Sequence, residues 1–502
     1  MQKYIDFGSG YQPSSRDKAE SMSYVIEKWL GNPFSKTILK FCTSRCGCGR
    51  RIELALKRYA GEDVSSCWRC NIAYRLVSRI IDSIISKFDI ERNVIVQNLK
   101  DPMWRKGLSS VLEGIAKYGP QKPFTAYAPF LVVWNFTNAC NLRCRHCYQN
   151  ASKPTPDELS TAEALKAVDR MAEAGVAYVA MSGGEPLIRR DFFEVAKRIK
   201  DNEMAFSLAT NGTLLTKENV KKLADLDCLF IQVSLDGATP ETHNSFRGTQ
   251  SFEKTIQGIK NAVESGITVG IATTVTKHNL GEVPDIINLA EELRADIFMH
   301  YNFIPTGRGR DIIALDLSPY ERENLLKRMA SEIWERKVSL LSTAPQYSRV
   351  CGQMSAVSLT HFDTFGQRNE DLGFLAEFVG GCGTGRLYCA LQPNGDITPC
   401  VFIPLVVGNI KHDDLLEVWH SSEVFKKIRD RRSFVGCGTC KYVNICGGCR
   451  ARAFGYYGDL QAPDPGCIIN KRYWDRIVLD DKKLSSIRLI KGSGRKLHIH
   501  DR

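Results

Sequence analysis

Apolar residues recur along this chain with two different periods, and the change of period divides it. From residue 1 to about 125 they fall at helical spacing, and no pair of strands is evident. In YRLVSRIIDSIISKF, from Tyr74 to Phe88, Leu76, Val77, Ile80, Ile81, Ile84 and Ile85 share one face, with Arg75, Arg79, Asp82 and Lys87 interleaved. That is the pattern of a helix packed on a core. Residues 126–340 alternate instead between short β-branched or aromatic runs and longer helical stretches, which predicts a parallel βα array. The predicted strands are Leu131–Phe136, Tyr178–Met181, Ala205–Ala209, Cys228–Ser234, Thr268–Val275 and Asp296–Phe303. Between the first two lies STAEALKAVDRMAEAG, where Ser160 suits an N-cap, Glu163 completes a capping box and Gly175 ends the helix. Six such units predict an α/β fold, a partial (β/α)6 TIM-like barrel, with chemistry gathered where strands end and βα loops begin.

Beyond residue 340 the pattern fades. A linker leads into a segment, to about residue 480, where glycine and cysteine dominate and apolar runs are short. A small domain held by metal rather than by core is expected there. The tail, 481–502, is basic and unpatterned, and is expected to be loose.

With 502 residues the chain is long enough for about three domains. It contains no run near the roughly 20 apolar residues that span a bilayer. The opening MQKYIDFGSGYQPSSRDK lacks the apolar centre of a signal peptide, so a cytoplasmic protein is expected. Of the net charge of +12, residues 1–125 supply most, with 21 Lys and Arg against 12 Asp and Glu. Such a face can attract anionic lipid or an acidic protein, or simply be solvated. No nucleic-acid partner is expected.

Cysteine is the outlying component. A secreted disulfide scaffold would be short, so 18 cysteines in a long chain without an export signal point to bound metal. Five lie between Cys42 and Cys70, three between Cys140 and Cys147, and eight between Cys382 and Cys467. Cys228 and Cys351 stand alone and suit buried apolar thiols.

The three central cysteines follow the first predicted strand in NFTNACNLRCRHCYQN, at C-x3-C-x2-C spacing. Three thiolates leave one iron of a four-iron cluster open, and an amino acid's amine and carboxylate can chelate that iron. The competing reading is a zinc loop. Later strands also end in turn-forming segments: SGGEP with Gly183, Gly184, Glu185 and Pro186; Thr210, Asn211 and Gly212; Ser234, Leu235, Asp236 and Gly237, followed by His243 and Arg247.

In these motifs the chain resembles the radical S-adenosylmethionine (SAM) superfamily, whose three-cysteine loop is followed by an aromatic residue, here Tyr148. The resemblance implies a 4Fe-4S cluster on Cys140, Cys144 and Cys147, with SAM bound near Tyr148, Gly183, Gly184, Glu185, Ser234 and Arg247. Electron transfer into the sulfonium then releases methionine and a 5′-deoxyadenosyl radical that takes hydrogen from a substrate. A ferredoxin- or flavodoxin-like reductant is implied as partner.

Residues 381–467, including GCGTGRLYCALQPNGDITPC and CGTCKYVNICGGCRARA, resemble the SPASM extension of that superfamily, which holds two auxiliary 4Fe-4S clusters. The resemblance implies one cluster on Cys382, Cys389, Cys400 and Cys449, and another on Cys437, Cys440, Cys446 and Cys467. A zinc ribbon over Cys437 to Cys449 is the competing reading. The N-terminal Cys46, Cys48, Cys67 and Cys70 are expected to hold zinc or a further cluster, against unliganded thiols.

For the substrate, CGGCRARAFGYYGDLQAPDPGC and TAPQYSR, from Thr343 to Arg349, look most like enzymes of the alternative haem and haem d1 pathways, which act on tetrapyrrole side chains. A small tetrapyrrole-like or apolar substrate is therefore expected. Three alternatives stand beside it: an archaeal lipid-joining enzyme touching the membrane surface through residues 1–125, a peptide maturase, and a non-enzymatic iron-sulfur electron carrier.

Overall fold

The computed structural model describes residues 32–88, 91–354, 356 and 375–478; the basic tail lies outside the described residues. Five helices open it: Pro33–Thr43, Arg51–Tyr59, Trp68–Phe88, Arg92–Lys100 and Pro102–Tyr118. The first and last begin alike, with proline in the first turn and a side-chain cap from Asn32 or Asp101. Cys42, Ile52, Leu56, Ala73, Val77 and Leu99 make a small core of their own. One expectation is corrected: Arg45–Cys46 (β1) and Gly49–Arg50 (β2) form an antiparallel hairpin. Strands of two residues carry no periodicity, so the pattern could not show them.

The six predicted strands are present as Leu131–Asn135 (β3), Tyr178–Ser182 (β4), Ala205–Thr210 (β5), Phe230–Ser234 (β6), Thr268–Val275 (β7) and Ile297–Asn302 (β8), paired in parallel in that order. The helix Thr161–Ala174 has its capping box, and Gly175 takes a left-handed φ of 92°. The sheet extends further at both edges. Ser339–Ser342 (β9) joins β8, and Tyr388–Leu391 (β10) joins β3 in parallel, with Asp396–Thr398 (β11) and Gly408–Asn409 (β12) following antiparallel. The cysteine-rich region is thus sewn into the barrel sheet, and Leu391, Ile397, Trp419 and Phe425 share the barrel's hydrophobic core. Metal alone does not hold it.

The N-terminal helices dock on the barrel floor, where strands begin. Arg50 Nη2 donates to Ala174 O at 2.5 Å, Lys106 Nζ donates to Asn202 O at 2.8 Å, and Arg105 pairs with Glu203 at 3.4 Å. Opposite this floor, at the ends of β3 to β8, lies the site.

Candidate active site

Beyond β3 the chain enters a loop whose backbone is held from several sides. Thr137 Oγ1 and the Asn138 N–H both donate to the Glu158 carboxylate, at 2.8 and 2.7 Å. Three glycines let other loops press close. A Cβ on Gly184 would stand 2.1 Å from Ala139 O, one on Gly248 2.6 Å from Arg143 O, and one on Gly307 2.4 Å from Cys147 O. Cys140, Cys144 and Cys147 line a cavity of about 280 Å³ above the strand ends.

The thiols sit among donors. The Leu142 N–H donates to Cys140 Sγ and the Ala151 N–H to Cys147 Sγ, each at 3.4 Å. Arg247 Nη1 lies 3.7 Å from Cys144 Sγ, while its Nε pairs with Asp236 Oδ2 at 2.6 Å. Burial is the largest influence on Asp236 and works to raise it, but Arg247 leads a set of groups, with the Thr274 N–H among them, that together hold the carboxyl below its ordinary range. Burial drives His146, 3.4 Å from the same oxygen, down to about 4, so Arg247 alone supplies the balancing charge. Burial pushes Cys140 up to about 12 and raises Cys144 as well, so both thiols keep their protons until a cation displaces them.

Gly183, Gly184, Ser234, Arg247 and Tyr148 line the same cavity. Tyr148 is fixed there by donating to Asn135 Oδ1 at 2.8 Å and by an edge contact with Phe402. Glu185 is not among them. Its carboxylate is buried beneath the strand ends, accepting from Thr210 Oγ1 and the Asn211 N–H at 2.9 Å, and burial raises it to about 7. Contrary to expectation, its side chain ties the diglycine turn to the end of β5 instead of facing the cavity. Arg308 was not anticipated. Its Nε donates to Cys144 O at 2.8 Å and its Nη1 to Ala151 O at 3.0 Å, bracing the cysteine loop from beyond β8. The GRGR that follows β8 was its one signal.

Cys382, Cys400 and Cys449 line the cavity from its other wall, where the Tyr388 hydroxyl donates to Cys400 Sγ at 3.4 Å. Cys389 is not with them, and this corrects the expected ligand set. Side chains alternate along β10, so Tyr388 turns into the cavity, whereas Cys389, in register with Val132, joins the hydrophobic layer beneath the helices. Cys437, Cys440, Cys446 and Cys467 surround a separate cavity of about 20 Å³. There Asn470 Nδ2 donates to Cys437 Sγ at 3.2 Å and the Gly448 N–H to Cys446 Sγ at 3.4 Å. Cys46, Cys48, Cys67 and Cys70 converge at the barrel floor. Cys228 and Cys351 are buried, as expected of apolar thiols.

Residues 134–290 match the family model of the radical SAM superfamily, and residues 382–450 match that of SPASM, an iron-sulfur cluster-binding domain. Over 345 residues the chain is 38% identical to the AdoMet-dependent heme synthase of Methanosarcina barkeri, covering 68% of this chain and 97% of the relative. The chain belongs to the radical SAM superfamily. It is also 32% identical over 347 residues to the mycofactocin maturase MftC of Mycobacterium tuberculosis, covering 68% of this chain and 83% of the relative. SuiB from Streptococcus suis, solved with its precursor peptide SuiA, shares the fold with a TM-score of 0.58 at 18% identity, over 83% of this chain and 92% of that one.

As a radical SAM enzyme with a SPASM domain, the chain carries 4Fe-4S clusters and binds SAM, which sets aside the reading as a mere electron carrier. The residues fit those groups. Backbone N–H groups aimed at sulfur and an arginine against Cys144 suit a thiolate-ligated cluster, whose ligands are anionic. Gly183 and Gly184 present bare backbone to the cavity, where an amino-acid moiety can approach closely. Among the described residues no helix is long and apolar enough to cross a membrane.

Proposed function

We propose that this radical SAM enzyme modifies the side chains of a tetrapyrrole bound between the three-cysteine loop and the first auxiliary site. The carrying observation is where the haem-pathway-like segments fall: Thr343, Ala344, Pro345 and Ser348 of TAPQYSR, and Cys449 and Ala451 of CGGCRARA, all line the one cavity. The segments that resemble tetrapyrrole enzymes are thus those that would touch substrate. The heme synthase relative, matched over nearly its whole length, supports the same substrate class.

Cys140, Cys144 and Cys147 would hold a 4Fe-4S cluster, which would supply the electron for reductive cleavage of SAM. Everything else falls to the chain. Gly183, Gly184, Ser234 and Arg247 bind and orient SAM, and Asp236 holds Arg247 beside Cys144. Cys382, Cys400 and Cys449 would hold the first auxiliary cluster on the cavity's other wall, and Cys437, Cys440, Cys446 and Cys467 would hold the second apart from it. A ferredoxin or flavodoxin of low potential supplies the electron. The cavity's walls, which include Phe230, Met299 and Phe303, exclude water from the reacting carbon.

The test is anaerobic turnover of the reconstituted enzyme with SAM, reductant and, in separate arms, iron-coproporphyrin III, archaeal phospholipid and a peptide. Formation of 5′-deoxyadenosine coupled to a mass change in the porphyrin, both lost in Cys144→Ala, is expected. Coupling to peptide or lipid without porphyrin would overturn the substrate class, and wild-type SAM cleavage by Cys144→Ala would overturn the site. The N-terminal fold favours the porphyrin over the peptide: among the described residues before 119 the strands are the two-residue pair β1 and β2, not a winged-helix sheet.

A further inference from the structure

Four N-terminal cysteines that close on one another lie outside both family matches, which span residues 134–290 and 382–450. Cys46 and Cys48 lie on the β1–β2 hairpin, Cys67 directly precedes the helix Trp68–Phe88, and Cys70 lies in its first turn. Their sulfurs meet. Cys46 and Cys70 are 3.3 Å apart, Cys67 and Cys70 3.6 Å, and Cys46 and Cys67 4.0 Å, with all four inside 4.8 Å of one another.

Those separations decide between the two metal readings. A single tetrahedral ion with metal–sulfur bonds of about 2.3 Å sets its sulfurs roughly 3.8 Å apart. A cubane puts each thiolate on a different iron, so its sulfurs stand apart by an iron–iron edge plus two outward bonds. Four sulfurs within 4.8 Å are too close for that and suit one ion. We propose that Cys46, Cys48, Cys67 and Cys70 bind one zinc ion whose role is to clamp the N-terminal helices to the barrel floor. Four thiolates leave no open position, the mark of a structural rather than a catalytic zinc.

What the clamp holds is visible beside it. The hairpin that carries Cys46 and Cys48 ends in Arg50, whose Nη2 donates to Ala174 O at 2.5 Å and whose Nη1 lies 3.6 Å from Glu113. Arg50 fills the space over Gly175 so closely that a Cβ there would lie 2.0 Å from its Nη1. The ion fixes the hairpin to the long helix, and the hairpin plugs Arg50 into the barrel. The radical site is at the other end of the strands, about 17 Å away for a five-residue strand, so the ion takes no part in the radical chemistry.

The test uses the whole chain, purified anaerobically without chelator, with zinc and iron measured by mass spectrometry. One zinc per chain is expected beside the cluster iron. Cys46→Ser/Cys67→Ser should lose the zinc but keep the cluster iron and the SAM-induced spectral change. Should that variant fail to fold, wild-type chain grown with cobalt provides the second measurement, through the intense visible bands of a tetrahedral cobalt thiolate site. Absence of zinc, iron in its place, zinc retained by the double variant, or an octahedral cobalt spectrum would each overturn the proposal.

Discussion

Replacing Gly184 by alanine should empty the radical site while sparing the rest of the molecule. The new Cβ would stand 2.1 Å from Ala139 O and 2.8 Å from Ala139 C, both backbone atoms, so no side chain can swing aside. Restoring an ordinary contact of 3.4 Å demands a shift of about 1.3 Å. Ala139 directly precedes Cys140, so the sulfur moves with it, far beyond the ±0.2 Å or so within which metal–ligand distances are set. Overpacking of this kind costs about 1–3 kcal/mol, enough to disrupt a loop but not the barrel. The assay is iron content after anaerobic reconstitution, with electron paramagnetic resonance before and after adding SAM. Loss of one cluster, about four of about twelve irons, is expected together with loss of the SAM-dependent signal. Gly281→Ala is the control, because nothing lies within 4 Å of a Cβ there. Wild-type iron and an unchanged SAM response in Gly184→Ala would refute the cradle argument.

Three further substitutions test other parts of the structure. Arg452→Met removes a fully buried guanidinium that pairs with Asp316 at 3.0 Å and donates to Phe303 O at 2.6 Å, leaving Asp464 short of its charge. The melting temperature should fall by the equivalent of about 3–5 kcal/mol, and an unchanged melt would contradict the reading. Cys389→Ala should keep all the cluster iron and cost only about 1 kcal/mol, whereas Cys400→Ala should lose one cluster; equal iron loss in both would restore Cys389 as a ligand. Glu113 is buried and its carboxyl is raised to about 7 by burial, against the pull of Arg50. Its stabilising contribution is complete below the ordinary carboxylate range and is lost as pH climbs through about 7, about 3 kcal/mol in all. Relative to wild type, Glu113→Gln should therefore gain stability between pH 5.5 and 8, and parallel melting curves over that window would disprove it.

The barrel was legible because its strands are long enough to show a pattern and its helices carry their own stop signals, as Ser160, Glu163 and Gly175 do. The strands that were missed, β1, β2 and β9 to β12, span four residues or fewer, and β10 owes its parallel pairing to β3, distant in the chain. Motif spacing located the three-cysteine loop and the cavity-lining Gly183, Gly184 and Ser234. It could not tell which way Glu185 or Cys389 would point. Orientation along a strand follows from register, and register at β10 is set by β3, some 250 residues earlier. The N-terminal cysteines show the converse. Their spacing left open zinc, a cluster or free thiols, and the sulfur–sulfur distances are what favour a single ion.

Charge explains why the cysteine region needs its clusters even though it shares the barrel's core. Arg386, Arg431 and Arg450 are buried and pair with no carboxylate among the described residues. Arg386 donates to Phe124 O, Gly380 O and Cys382 O, Arg431 to Val443 O and Gly380 O, and Arg450 to Leu460 O and Ala462 O. Carbonyl dipoles alone do not settle a buried guanidinium. Burial drives Arg386 well below its ordinary value and Arg431 down to about 10, with Cys382 pulling each the other way. The missing anion is the ligated sulfur: a 4Fe-4S cluster on three or four thiolates is negative overall, and Arg450 Nη2 already lies 3.6 Å from Cys437 Sγ. An uncompensated buried charge costs several kcal/mol, so these arginines and the clusters stabilise one another. The barrel rests on its apolar layer, whereas the region beyond Gly380 buries guanidinium charge that bound iron-sulfur groups would balance.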